Sequence, residues 1–68
     1  MQISARNQLK GTIKSVKLGT VMAEVVLTVG SVEVVSVITR ESAERMKLKA
    51  GDTAAAVIKA TAVMILKD

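Results

Sequence analysis

Val21-Met22-Ala23-Glu24-Val25-Val26-Leu27-Thr28-Val29-Gly30-Ser31-Val32-Glu33-Val34-Val35-Ser36-Val37-Ile38 is the stretch that decides the fold. Its odd positions from Val21 to Val29 are all apolar, while the even ones include Glu24 and Thr28. A period of two with one polar parity describes a strand with a core face and a partly wet face. Gly30-Ser31 then breaks the run, and glycine's freedom to take positive φ suits a tight hairpin there. Residues 32–38 are apolar on both parities apart from Glu33 and Ser36. A strand of that kind is covered on both faces. In so small a protein the second cover is expected to be another subunit.

Upstream, residues 7–17 read as a first strand, with Leu9, Gly11 and Ile13 on one face. Val16 and Leu18 take up the opposite parity, so a bulge or bend is predicted near Lys14-Ser15. Leu18-Gly19-Thr20 supplies the next turn. Downstream, Thr39 is placed to cap a short helix from Arg40 to about Lys47. Glu41 and Glu44 lie early and Arg45, Lys47 and Lys49 late, an order that complements the helix dipole. Met46 and Leu48 are expected to anchor its end. Ala50-Gly51-Asp52 turns the chain into a fourth strand over residues 53–59, and residues 62–66 form a fifth. Small residues (Ala54, Ala55, Ala56, Ala60, Ala62) allow close backbone approach at a barrel seam or subunit contact. The expected fold is all-β: an OB-like five-stranded Greek-key barrel with one short helix between strands three and four.

Composition bounds the rest. Sixty-eight residues make a single domain spanning 1–68. A chain of this length buries only about 60% of its unfolded surface, yet half its residues are apolar. An oligomer that hides the surplus between subunits is the economical solution. Without cysteine or histidine, neither a disulfide nor a Cys/His zinc cluster is available. The net charge of +4 favours acidic partners. The polar N-terminus does not resemble a signal peptide, and no apolar run reaches the roughly 18–20 residues that span a bilayer. A cytoplasmic protein is expected.

An OB-like barrel suggests oligonucleotide binding, but that mode relies on aromatic stacking platforms, and this chain has no aromatic residue. A small oxyanion fits the residues better. It needs convergent N–H and O–H donors together with positive charge. Three segments supply them: Ser4-Ala5-Arg6-Asn7 ahead of the first strand, Thr39 to Ser42 at the helix start, and Lys59-Ala60-Thr61 between two apolar strands. Each also has an ordinary explanation. Arg6 and Lys10 suit solvated strand-edge charges, Thr39 a plain cap that Ser42 backs up, and Lys59 a snorkelling lysine. Nothing in the spacing supports a Ser–Lys nucleophile, so the chain is read as a non-enzyme. The methionines serve as the start residue and apolar filler.

Ile3-Ser4-Ala5-Arg6-Asn7-Gln8-Leu9-Lys10-Gly11 resembles the opening of the molbindins, small molybdate-binding proteins also called Mop or TOBE-type proteins. The likeness continues through Gly19-Thr20-Val21-Met22-Ala23-Glu24-Val25, Leu48-Lys49-Ala50-Gly51-Asp52 and Ile58-Lys59-Ala60-Thr61-Ala62-Val63-Met64. The resemblance implies intracellular binding, storage and buffering of molybdate or tungstate, without an organic cofactor and without chemistry. It implies a homo-hexamer built as a trimer of dimers, with the dianion between subunits. One subunit would bring Ser4, Ala5, Arg6, Asn7, Lys59 and Ala60; its neighbour would bring Thr39 and Ser42. Several members have serine where Ala60 stands, a loss of one hydrogen bond that Thr61 is placed to offset. Arg6 and Lys59 are the obvious cations for the dianion. A small nucleic-acid-binding module is the alternative, and a purely structural oligomerisation domain is a third reading; neither nucleic acid nor membrane is expected as a partner.

Overall fold

The computed structural model describes residues 6–68. Four strands, β1 (Asn7–Leu18), β2 (Met22–Val29), β3 (Val32–Thr39) and β4 (Thr53–Ile58), are joined by one helix, α1 (Arg40–Arg45), between β3 and β4. A short 3-10 turn covers Ala60–Ala62. The strands form a single antiparallel sheet in the order β3-β2-β1-β4. The all-β class with one short helix is as the sequence reads.

The central hairpin follows the alternation. Ala23, Val25 and Leu27 are buried, and the two-residue turn at Gly30-Ser31 pairs Val29 with Val32, with Gly30 at φ +59°. With Ile13, only 1% exposed, Val25 and Leu27 make the core cluster, and Val16, Val29, Val34, Ile38, Leu48, Ala54 and Ala56 pack against it. Burying each of the Ile13, Val25 and Leu27 side chains contributes about 1.5–3 kcal/mol. The expected bulge is present. Pairing passes from Ile13 with Leu27 to Ser15 with Val26, which leaves Lys14 as the extra residue. The insertion lets Ile13 and Val16 both reach the core and turns the Lys14 ammonium onto the Glu33 carboxylate.

The helix ends sooner than its charge pattern implies. It stops at Arg45, and Lys47 sits in the left-handed region at φ +54°. The Lys47 N–H donates to the Glu44 carbonyl at 3.1 Å and the Leu48 N–H to the Ala43 carbonyl at 3.2 Å. These two bonds form a Schellman cap, and they swing half-buried Leu48 onto the core as expected. Met46 remains largely exposed. The chain then returns through a turn in which the Gly51 N–H donates to the Ile13 carbonyl and the Ile13 N–H to the Asp52 carbonyl, each at 2.8 Å. Gly51, at φ +95°, gives this turn its backbone shape.

Two expectations need correction. The fifth strand over residues 62–66 does not form: the chain winds into the 3-10 turn at Ala60–Ala62 and then runs on without ladder pairing. Met64, Ile65 and Leu66 are 92, 89 and 93% exposed. Strand formation needs an edge to bond to, and among the described residues this segment pairs with none. As a result the sheet does not close into a barrel. Residues 34–38 of β3 and 54–58 of β4 instead face each other across an open apolar slot of about 610 Å³, floored by Ile13, Val25 and Leu27. The outer parity of β3 is likewise uncovered within one chain, with Val35 and Val37 each 60% exposed.

Candidate functional site

Antiparallel pairing of β1 with β4 builds the first half of the site. Asn7, at the start of β1, is the partner of Ile58, at the end of β4. Arg6 immediately precedes the one and Lys59 immediately follows the other, so two cationic residues meet at a single corner of the sheet. Lys59 is extended, at φ −64° and ψ 136°, and the chain bends directly after it. The Ala62 N–H donates to the Lys59 carbonyl at 2.9 Å, and the Val63 N–H to the Ala60 carbonyl at 3.3 Å. Ala60 and Thr61 lie in this bend and are exposed. The ion pairs among the described residues engage Lys14, Arg40 and Arg45 but neither Arg6 nor Lys59. Ser4 and Ala5 lie outside the described residues.

The second half stands where β3 becomes α1. Thr39 is the N-cap: its Oγ1 accepts the Ser42 backbone N–H at 3.1 Å. The same hydroxyl donates to the Ser42 Oγ at 2.8 Å. The ordinary reading of Thr39 as a helix cap is therefore correct, and Ser42 is tied to it as anticipated.

One chain does not bring the two halves together. Thr39 pairs with Met22, and Met22 adjoins Ala23, the partner of Leu18 at the far end of β1 from Asn7. Eleven residue steps of strand separate Asn7 from Leu18, about 36 Å along the strand at about 3.3 Å per step. The halves also sit on opposite flanks of the sheet, since β4 is one edge strand and β3 the other.

Two contacts escaped the sequence reading. The Arg45 Nη2 donates to the Ser42 Oγ at 3.4 Å, while its Nη1 lies 4.0 Å from the Glu41 carboxylate. The i, i+3 spacing of Ser42 and Arg45 was the available signal, because residues three apart on a helix share a face. Arg40 latches the helix start to the sheet. Its backbone N–H donates to the Val21 carbonyl at 2.8 Å and its Nη1 to the Gly19 carbonyl at 3.2 Å, and its Nε lies 3.5 Å from the Glu44 carboxylate. No local pattern announces that latch, which depends on how the turn before β2 meets the helix.

Comparison with known proteins agrees with this architecture. The TOBE domain family matches residues 3–65. Molybdenum-pterin-binding protein 3 of Clostridium pasteurianum is 54% identical over 97% of this chain and 98% of its own length. A molybdate-binding protein from Sporomusa ovata superposes with a TM-score of 0.95 at 42% identity, covering 98% of this chain and all of that one. The cytoplasmic molybdate-binding protein ModG, in a molybdate-bound crystal form, superposes with a TM-score of 0.83 at 44% identity over 88% of this chain and 43% of its own. With a family match along nearly its whole length and a relative sharing more than half its residues, the chain belongs to the TOBE domain family.

Proposed function

We propose that this protein binds molybdate, and tungstate by the same chemistry, at a site shared between subunits. The observation that carries the proposal is the opposite placement of two complementary half-sites on one sheet. Arg6, Asn7, Lys59, Ala60 and Thr61 gather at one corner, and Thr39 and Ser42 lie at the far end of β1 on the other flank. Donors and cations so divided serve one dianion when a second copy places its helix start over the first copy's corner. Ser4 and Ala5, next to Arg6 in sequence, are assigned to the same half-site by that sequence position alone. Relatives whose names refer to molybdenum-pterin or molybdate binding support the choice of ligand.

The same assembly completes the barrel. Residues 63–66 are apolar and uncovered, and the slot between β3 and β4 is apolar and open along both edges. A strand from a neighbouring copy laid in the slot satisfies both edges and buries both surfaces, giving the five-stranded OB-like barrel of the sequence reading. Dimers of this kind stacking through the exposed β3 face around Val35 and Val37 would give a hexamer.

Function is binding, storage and buffering of the oxyanion in the cytoplasm, with no bond made or broken. Among the described residues no helix is long and apolar enough to cross a membrane. Selectivity over sulfate follows from the larger ion filling the donor cage. Selectivity over hydrogen phosphate follows because its proton finds no acceptor in a cage of donors. Isothermal titration tests the proposal: molybdate and tungstate bind far more tightly than sulfate, and equal affinity for all three would refute it.

A further inference from the structure

Resting on the shared oxyanion site just proposed, we infer that Arg45 sets its affinity, by holding Ser42 as an outward donor and adding a cation from the helix side. A hydroxyl oxygen has two acceptor lone pairs and one proton. On Ser42 both lone pairs are engaged, one by the Thr39 hydroxyl at 2.8 Å and one by the Arg45 Nη2 at 3.4 Å. Among the described residues no hydrogen bond takes up the Ser42 hydroxyl proton.

The Arg45 guanidinium is also available to an anion. Its side chain is mostly exposed, and its partner Glu41 is more exposed still, at 4.0 Å. An exposed i, i+4 pair of this length is weak, so the guanidinium can turn from Glu41 to an anion held by Ser42. A guanidinium carries five N–H donors in a planar fork suited to a pair of oxyanion oxygens. Arg6 and Lys59 supply positive charge from one subunit; Arg45 supplies it from the other. Glu41 competes with the ligand for the same fork.

The role of Glu41 gives the test its sign. Molybdate titrations are run on the wild-type assembly and on Arg45→Ala, Arg45→Lys and Glu41→Gln, each at low and high sodium chloride, with sedimentation confirming an unchanged assembly. Arg45→Ala is expected to bind roughly five- to tenfold more weakly at low salt, and the deficit shrinks at high salt as the charge is screened. Arg45→Lys recovers at least half of the loss. Glu41→Gln binds about twofold more tightly, because the guanidinium is released. Wild-type-like binding by Arg45→Ala overturns the inference. So does equal weakening in Arg45→Ala and Glu41→Gln, the signature of a residue that only supports the helix through its ion pair. A wild-type protein that does not bind molybdate removes the site itself and this role with it.

Discussion

The Thr39 hydroxyl donates to the Ser42 hydroxyl at 2.8 Å while accepting the Ser42 backbone N–H at 3.1 Å. In the proposed site this contact ties the Thr39 hydroxyl into the cap and leaves the donor role to Ser42. Under that proposal the two hydroxyls that look equivalent in sequence have different parts, Thr39 positioning and Ser42 binding.

Substitutions at these two positions should divide stability from affinity. Thr39→Ala removes the cap and is expected to cost about 1 kcal/mol in urea melts at fixed protein concentration. Ser42→Ala keeps the backbone donor to Thr39, so its melt shifts by less than about 0.5 kcal/mol. Its molybdate affinity falls about five- to tenfold, by the loss of one directed donor to an anion. A large stability loss in Ser42→Ala with intact affinity would reverse the assignment.

At the opposite corner, Arg6→Ala and Lys59→Ala each remove one of two exposed cations that meet where β1 pairs with β4. Neither takes part in an ion pair among the described residues, so melting midpoints should hold within about 0.5 kcal/mol. Oxyanion affinity should fall at least tenfold in each, since a hydrogen-bonded cation contributes more than a neutral donor. Titrations indistinguishable from wild type in both variants would place the anion elsewhere.

Lys47 occupies the left-handed position of a Schellman cap that glycine usually fills. A side chain there costs roughly 1–2 kcal/mol relative to glycine. Lys47→Gly is expected to raise stability by roughly 0.5–1 kcal/mol, after the greater freedom of glycine in the unfolded chain is subtracted. A lower melting midpoint in this variant would show that the Lys47 side chain contributes a contact that outweighs the strain.

Gly11 presents the reverse case. A Cβ built on it would lie 2.3 Å from the Thr28 carbonyl oxygen and 2.9 Å from a Val29 methyl. The obstacle is backbone, so it cannot rotate aside, and the β1–β2 register must shift to make room. Gly11→Ala is expected to destabilise the fold by more than about 2 kcal/mol, read as a loss of cooperative thermal unfolding or a much lower midpoint. A wild-type melt would show that the two strands separate freely at this point.

Which of these features were legible in the sequence follows from the range of the forces behind them. The hairpin was readable because the period-two alternation from Ala23 to Leu27 records a local geometry and a single buried face. The bulge at Lys14 was readable because a parity slip between Ile13 and Val16 has few other solutions in a strand. The end of α1 was not, because lysine gives no signal of a left-handed residue, and tertiary packing of Leu48 selects that conformation. The halves of the site were visible as residue types but not as a separation. Strand order, rather than local pattern, sets Asn7 and Thr39 at opposite ends of the sheet. The misread segment is 62–66. Its continuous apolar character fits burial under the proposed assembly, but nothing in a single chain's pattern distinguishes pairing with its own sheet from pairing with a neighbour's.

That segment gives the last prediction. Within one chain Ile65 and Leu66 touch little, being 89 and 93% exposed, so replacing both with aspartate should leave the fold of an isolated subunit unaffected. If the strand lies in a neighbour's slot, the same replacement puts two carboxylates against the Val25 and Leu27 floor or the apolar edges of β3 and β4, at a cost of several kcal/mol per assembly contact. Ile65→Asp combined with Leu66→Asp is therefore expected to convert the proposed oligomer to a folded or partly folded monomer in analytical ultracentrifugation. It should also abolish oxyanion binding, because each half-site loses its complement while every ligand-contacting residue is retained. An unchanged sedimentation coefficient with unchanged molybdate affinity would mean that the slot between β3 and β4 is not filled by residues 63–66 of a second copy.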